Sequence, residues 1–307
     1  MDLRIERSSL MRSLSHVQSV VERRNTIPIL SNVLIECESG AVTLTATDMD
    51  LTITETTGAS VAQPGALTAP AHMLFDIVRK LPDGVEVGLT STGDTGRMTL
   101  TAGKARFELS TLPREDYPSL DGAEMPINFE IPSEELKTLI ERTRFAISTE
   151  ETRYYLNGIY LHAMGEGASA VLRAVATDGH RLARFETVLP TGASEMPGVI
   201  VPRKTVGELV KLLDGGEENV RVSLSDSRIE FRFADVTLSS KLIDGTFPDY
   251  ERVIPTQNDK SMTVDKATFA QAVDRVSTIA SAESRAVKLA VAPGKLNLSA
   301  NSPDRGQ

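Results

Sequence analysis

Three stretches of this chain run through the same β-type pattern and close on the same kind of turn. They are Leu44-Thr45-Ala46-Thr47-Asp48-Met49-Asp50-Leu51, Val175-Ala176-Thr177-Asp178-Gly179-His180-Arg181-Leu182 and Leu298-Ser299-Ala300-Asn301-Ser302-Pro303-Asp304. Asp178 follows Asp48 by 130 residues, and Asn301 follows Asp178 by 123. A period this long exceeds any solenoid repeat and matches a domain of ordinary size. Each run also follows an amphipathic segment at a similar distance. The chain therefore reads as three copies of one module, a shape built by repetition.

A length of 307 residues suits two or three domains, and 40% hydrophobic with 24% charged residues is ordinary for a soluble globular protein. The start, Met1-Asp2-Leu3-Arg4-Ile5-Glu6-Arg7, lacks the apolar core of a signal peptide, and no apolar run approaches membrane-spanning length. The one cysteine, Cys37, excludes an internal disulfide and fits a reducing cytoplasm. Within Val33-Leu34-Ile35-Glu36-Cys37 it reads as a half-buried strand thiol, not a nucleophile.

The net charge of −9 argues against a nucleic-acid partner, but its distribution points the other way. Periodicity places helices at 9–24, 71–81, 133–147, 203–213 and 266–280. Leu10, Leu14, Val17 and Val21 recur at helical spacing, as do Val206, Leu209, Val210 and Leu213. These five segments hold 13 Lys and Arg against 7 Asp and Glu, so the basic charge gathers on helices while the rest of the chain is acidic. Such a division can aim a positive surface at one place and repel polyanions elsewhere. The plainer reading is that the helices carry solvated cations on their outer faces. Ser133 and Asp265 read as helix starts.

Between the helices the residues alternate at period two, as in Arg106-Phe107-Glu108-Leu109 and Ile229-Glu230-Phe231-Arg232-Phe233. Turn signals at Glu38-Ser39-Gly40, Pro82-Asp83-Gly84, Asp121-Gly122, Asp178-Gly179 and Asp214-Gly215-Gly216 separate these runs. Short loops imply antiparallel sheets, because parallel strands need long crossovers. The expected class is α+β: three modules of antiparallel sheet, each with two helices, at 1–122, 123–255 and 256–307. Each module has two similar halves, since Pro70 to Pro118 and Pro202 to Pro248 span nearly equal lengths. The third stops six residues past Asn301, so a longer protein with roughly 65–75 further residues is expected by the same repeat logic.

Several longer motifs now point to a family. Ala176-Thr177-Asp178-Gly179-His180-Arg181-Leu182-Ala183 closely resembles a signature of the bacterial sliding clamp, the beta subunit of DNA polymerase III. So do Ile27-Pro28-Ile29-Leu30-Ser31-Asn32, Arg153-Tyr154-Tyr155-Leu156-Asn157-Gly158 and Lys241-Leu242-Ile243-Asp244-Gly245-Thr246-Phe247-Pro248-Asp249-Tyr250. Ser284-Arg285-Ala286-Val287-Lys288-Leu289 and Ser299-Ala300-Asn301 extend the likeness into the third module. The resemblance implies a ring of two protomers closed head to tail around duplex DNA. Helices would line the hole and sheets would form the outer scaffold. It also implies a processivity factor for the replicative polymerase, with no catalytic residues and no metal or other cofactor.

The resemblance further assigns site residues. Arg24, Tyr154 and Tyr155 match positions that contact DNA, the tyrosines by stacking on single-stranded template. Arg142, Arg203, Lys204 and Lys211 are added on helix placement. Without the resemblance, Arg24 is a surface arginine completing a helix, and the tyrosines are a strand pair with one ring in and one out. Arg153, Leu156, Thr177, Gly179, His180, Arg181, Leu182, Pro248, Arg252 and Val253 match a cleft for apolar linear motifs. Its users would be polymerase subunits, the clamp loader, and repair and translesion polymerases. Lys104, Arg106 and Phe107, with Ile279, Leu296 and Leu298, match the homodimer interface. Two rival readings stay open. One is an enzyme using Asp178 and His180, which the four histidines and the lack of a phosphate loop or metal-ligand spacing disfavour. The other is a peptide-binding scaffold that does not encircle DNA.

Overall fold

The computed structural model describes residues 1–91, 96–118, 124–214, 219–280 and 286–302. The expected Asp121-Gly122 turn, Gly215-Gly216, Ser284-Arg285 and the segment from Pro303 lie outside the described residues. The chain divides into two compact units, Met1–Pro248 and Asp249–Gln307.

The first unit opens with β1 (Asp2–Glu6) and α1 (Arg7–Val17), followed by β2 (Asn32–Glu38), β3 (Ala41–Thr47), β4 (Leu51–Gly58), β5 (Ser60–Gln63) and β6 (Gly65–Pro70). Next come α2 (Ala71–Lys80), β7 (Glu86–Thr90), β8 (Arg97–Ala102) and β9 (Ala105–Ser110). The pattern then recurs with β10 (Ile127–Pro132), α3 (Ser133–Glu141), β11 (Gly158–Met164), β12 (Val171–Thr177), β13 (Leu182–Val188) and β14 (Val199–Pro202). It closes with α4 (Arg203–Leu213), β15 (Asn219–Leu224), β16 (Arg228–Phe233) and β17 (Val236–Lys241). The second unit holds α5 (Lys266–Ser277) and the hairpin of β18 (Lys288–Ala292) and β19 (Lys295–Ser299).

Every strand pairing among the described residues is antiparallel, as the short loops require. The first unit has a five-stranded sheet in the order β5-β1-β7-β8-β9 and a four-stranded sheet in the order β13-β12-β11-β14. Its third sheet has eight strands, β10-β15-β16-β17-β4-β3-β2-β6, and crosses from one sequence repeat into the next. The crossing is the β17–β4 ladder, with Val236 opposite Glu55 and Ser240 opposite Leu51. Leu44, Ile53, Phe231 and Leu238 are buried in one core that runs across this join. The helices lay their apolar stripes on it: Leu10, Leu14 and Val17 of α1, and Val206, Leu209 and Leu213 of α4.

Two helices are shorter than their periodicity suggests. The segment 9–24 is helical only as far as Val17, because the following amides turn back onto carbonyls three residues earlier, Val20 to Val17 and Val21 to Gln18. The Ser19 hydroxyl oxygen lies 2.6 Å from the His16 carbonyl and 2.6 Å from Glu208, two acceptors that compete for its one proton. The carbonyls of Val20 and Val21 are taken by Lys204 and His72. The segment 133–147 breaks after Glu141, where the Thr143 hydroxyl donates to the Leu139 carbonyl at 2.7 Å. Trimmed this way, α3 carries Glu134, Glu135 and Glu141 against Lys137 alone. The basic excess of the helices is thus confined to the others. Ser133 is the first residue inside its helix, not a cap, whereas Asp265 accepts from the Thr268 amide at 2.8 Å. Cys37 is fully buried, and burial pushes its thiol pKa up.

The first two repeats close on the same turn, bond for bond. Asp48 accepts from the amides of Asp50 and Leu51; Asp178 accepts from those of His180 and Arg181. The hydroxyls of Thr47 and Thr177 donate to the carbonyls of Leu51 and Arg181. The residue after the aspartate has a positive φ in both, 86° at Gly179 and 82° at Met49. Glycine adopts that backbone freely, and methionine does not.

The two repeats are also tied by charge. The Lys204 ammonium of α4 pairs with the Asp48 carboxylate and donates to the Val20 carbonyl at 3.3 Å and to Glu22 at 3.4 Å. Glu208 accepts from the Ser19 hydroxyl at 2.6 Å. Lys204 is partly desolvated, which alone would lower its pKa, but Asp48 and Glu22 hold it above the ordinary lysine value. The buried Glu55 carboxylate on β4 ties down α1: Ser13 donates at 2.8 Å and His16 Nδ1 lies at 2.7 Å.

Two outcomes are expected. Met49→Gly relieves the left-handed strain at the cost of a freer unfolded chain, and raises unfolding stability in urea by about 0.5 kcal/mol; no gain would mean the turn is unstrained. A double-mutant cycle of Lys204→Met with Asp48→Asn, which keeps the turn's acceptor, gives a coupling of about 1 kcal/mol for a pair still open to solvent. Because the folded pKa of Lys204 is raised, this contribution is complete below pH 10.5 and fades as pH climbs through the folded value. A coupling unchanged in strong alkali would contradict it.

Candidate nucleic-acid and partner interface

Most of the basic residues singled out on helices sit at helix margins. Arg24 is exposed in the loop beyond α1, seven residues past the helix end. Arg142 is exposed directly after α3, and Arg203 is exposed as the first residue of α4. Lys204 holds the loop at Val20 and Glu22 against α4. The Lys204 charge is spent internally on Asp48, so this lysine differs from a free phosphate contact. Lys211 is paired with Glu208 at 2.8 Å. The margins therefore present Arg24, Arg142 and Arg203 as cations without an ion pair among the described residues.

Tyr154 and Tyr155 lie in a 3-10 turn, Glu151–Leu156, and not on a strand. The turn kinks at Arg153, which frees both rings from the in-and-out alternation expected of a strand. Tyr154 is 54% exposed and Tyr155 is half-buried, and the rings meet edge to face with centroids 5.7 Å apart. Gly245 runs beneath them, where an added Cβ would come within 3.1 Å of the Tyr155 Cβ. The amide of Arg203 donates to the Asn157 carbonyl at 2.9 Å, so the N-terminus of α4 abuts the tyrosine turn. Aromatic faces beside exposed guanidinium groups suit stacking bases and a phosphate backbone.

The second repeat's turn adjoins the same segment. Arg153 pairs with Glu150 at 3.2 Å and passes so close to Gly179 that a Cβ there would lie 2.7 Å from a guanidinium nitrogen. Arg181 pairs with Asp178 at 3.0 Å, and its guanidinium lies over the Phe145 ring at 5.7 Å. The amide of His180 first, then that of Arg181, hold the Asp178 carboxyl below its usual range. Leu156 is buried, Leu182 is half-buried, and Gly179, His180, Arg181 and Pro248 are exposed. Arg252 and Val253 are exposed in the second unit, where Arg252 pairs with Asp249 at 2.6 Å. Phe145, 57% exposed, was missed from sequence because a helix over 133–147 disguised its place in a separate turn.

Lys104, Arg106 and Phe107 lie at the outer edge of the five-stranded sheet, Lys104 in the turn before β9 and the other two on it. Arg106, then Arg97, hydrogen-bond Glu108 and hold its carboxyl below the usual range. A largely apolar groove of about 620 Å³ runs between α2 and β9, lined by Met73, Ile77, Leu81 and Phe107. In the second unit, Leu296 and Leu298 are half-buried on β19, and Ile279 is half-buried just past α5. Among the described residues no cluster of His, Cys, Asp or Glu is placed to hold a metal ion, and no helix is long and apolar enough to cross a membrane.

Comparison with known proteins accounts for the chain from end to end. Three family models match in order: the N-terminal domain of the DNA polymerase III beta subunit over 1–121, its central domain over 130–249, and its C-terminal domain over 251–307. The beta sliding clamp of Caulobacter vibrioides is 51% identical over 307 residues, covering 100% of this chain and 82% of the relative. That of Escherichia coli K12 is 39% identical over 312 residues, covering 99% and 82%. A solved sliding clamp from Bartonella birtlesii, bound to griselimycin, superposes with a TM-score of 0.96 at 50% identity, over 100% of this chain and 82% of that one. A clamp from Pseudomonas aeruginosa, also bound to griselimycin, gives 0.93 at 37% identity, over 99% and 81%. The chain belongs to the DNA polymerase III beta subunit family, the bacterial sliding clamps.

Proposed function

We propose that this protein is a cytoplasmic DNA sliding clamp that confers processivity on the replicative polymerase and has no catalytic residues of its own. The observation that carries this reading is the ordered match of all three clamp domain models along one chain. Its modules are assigned to 1–122, 123–255 and 256–307. A sliding surface needs diffuse phosphate attraction without base readout, and exposed Arg24, Arg142 and Arg203 supply it. Lys204 acts mainly as a tie between modules and only secondarily toward DNA. Tyr154 and Tyr155 offer stacking faces to unpaired template.

In the first unit, the surface of Arg153, Leu156, Thr177, Gly179, His180, Arg181, Leu182 and Pro248 receives apolar linear motifs of polymerases, the clamp loader and repair proteins; in the second unit, Arg252 and Val253 are assigned to the same motifs by the family resemblance. The free edge β9 with Lys104, Arg106 and Phe107 pairs with a second copy through Ile279, Leu296 and Leu298. Two such contacts related by a two-fold axis close a homodimeric ring.

The test of encirclement is retention on nicked circular duplex DNA before and after linearisation. Retention on circles with loss from linear ends is expected; equal retention on both would overturn it. Arg24→Ala lowers retention and reduces the log–log salt slope by about one. An unchanged slope would remove Arg24 from the DNA surface. Leu182→Ala, by deleting apolar contact area, weakens a polymerase-derived peptide about tenfold in calorimetry while leaving the solution mass unchanged. Gly179→Ala strains the turn by about 1 kcal/mol and displaces Arg153, weakening the same peptide. Unaltered peptide affinity in both variants would refute the cleft.

A further inference from the structure

Arg228 and Lys241 stand directly opposite each other on β16 and β17. Opposed residues of an antiparallel pair share one face, and two like charges there destabilise it. Lys241 has a partner of its own: its ammonium lies 2.9 Å from Asp50, and its amide donates to the Asp50 carbonyl at 2.8 Å. Arg228 has none. Its backbone amide donates to Ser225 at 3.2 Å, but its half-buried guanidinium makes no ion pair or hydrogen bond among the described residues. Asp226, two residues away in the preceding turn, does not pair with it.

Both cations line a small cavity of about 120 Å³ where the first repeat's turn meets the second repeat's sheet. Its hydroxyls are already committed. Thr47 donates to the Leu51 carbonyl, Thr52 to Thr47, Ser239 to Glu230 and Ser240 to the Lys241 carbonyl. Among the described residues of the lining, the charged donor left without a partner is therefore the Arg228 guanidinium. Met49, Pro118 and Asp50 complete the lining, and the Asp50 carboxylate is already engaged by Lys241. The turn here is the twin of the one at Asp178, yet it carries Thr52 where its twin carries Leu182. A polar wall has replaced an apolar one.

We propose that this pocket binds a single oxyanion, a carboxylate or a phosphate group, held by the Arg228 guanidinium with Lys241 as the second charge. The cavity exceeds the roughly 30 Å³ share of one water and suits a group of four or five heavy atoms. The planar fork of Arg228 matches two oxygens at once, which a lysine cannot do. An anion there gives Arg228 the counter-charge that Asp50 already gives Lys241. The inference stands on this chain's own geometry and is independent of DNA encirclement.

The experiment is a titration of the ¹⁵N-labelled chain, at constant ionic strength, with sodium acetate and separately with inorganic phosphate. The readouts are the Arg228 Nε–Hε resonance and the Met49 and Ser240 amides. A saturable shift is expected, abolished at the two amides in Arg228→Gln and weakened in Arg228→Lys. Asp50→Asn, which frees the Lys241 charge, tightens binding several-fold. Saturation by acetate alone assigns the site to carboxylates such as acidic side chains, and saturation by phosphate alone to phosphate groups. Saturation by both makes it a general oxyanion pocket. A response linear in concentration, or one that persists in a folded Arg228→Gln protein, overturns the proposal.

Discussion

The first unit depends on the antiparallel ladder between β17 and β4. Without it, each repeat would end in an open sheet edge, with a row of unpaired backbone groups and an apolar face cut off at mid-width. With it, four strands of one repeat and four of the next become a single sheet over a common core. Glu55 shows how closely the join is fitted. Its backbone sits in the ladder opposite Val236, while its buried carboxylate takes bonds from Ser13 and lies beside His16 on α1. A buried carboxylate left without such partners would be strongly destabilising, so helix placement and strand pairing are coupled at this residue.

Around the ladder, charges reinforce the join. Lys204–Asp48, Glu208–Ser19 and Lys241–Asp50 each cross from one repeat to the other. None of them is worth much alone. Their geometry matters more, because they attach the repeat's turn to the neighbouring helix and strand. The turn at Asp48 thus becomes a structural joint. Its twin at Asp178 keeps its backbone bonds but directs Arg181 and Arg153 onto an exposed surface. One local motif serves two purposes according to what meets it.

The same economy governs the basic surface. Cations near α4 divide into those with an ion pair, Lys204 across the repeats and Lys211 within its own helix, and those left to solvent, such as Arg203 beside the tyrosine turn. The kink at Arg153 and the close approach of Gly245 hold two tyrosines edge to face without burying either fully. An aromatic pair presented this way has an apolar face open at the surface and guanidinium groups nearby.

Much of this was legible in the sequence. The recurrence of a β-type run closing on an Asp turn was readable from spacing, and the bonds Thr47–Leu51 and Thr177–Arg181 that close it within five residues came from the structure. Period-two runs with short loops determined antiparallel sheets, and the apolar stripes marked the buried faces of α1 to α4, whereas α5 buries none of its residues. What only the tertiary structure decided involves partners far apart in the chain. Beyond Val17 the 9–24 segment leaves the helix, and the carbonyls of Val20 and Val21 are taken by Lys204 and His72 from distant parts of the chain. Lys204 is a tie and not a free cation because Asp48, 156 residues away, lies within its reach. Periodicity registers which face of a segment is apolar. It cannot register which distant side chain will compete for a carbonyl or claim a charge, because that competition exists only once the two repeats share one sheet.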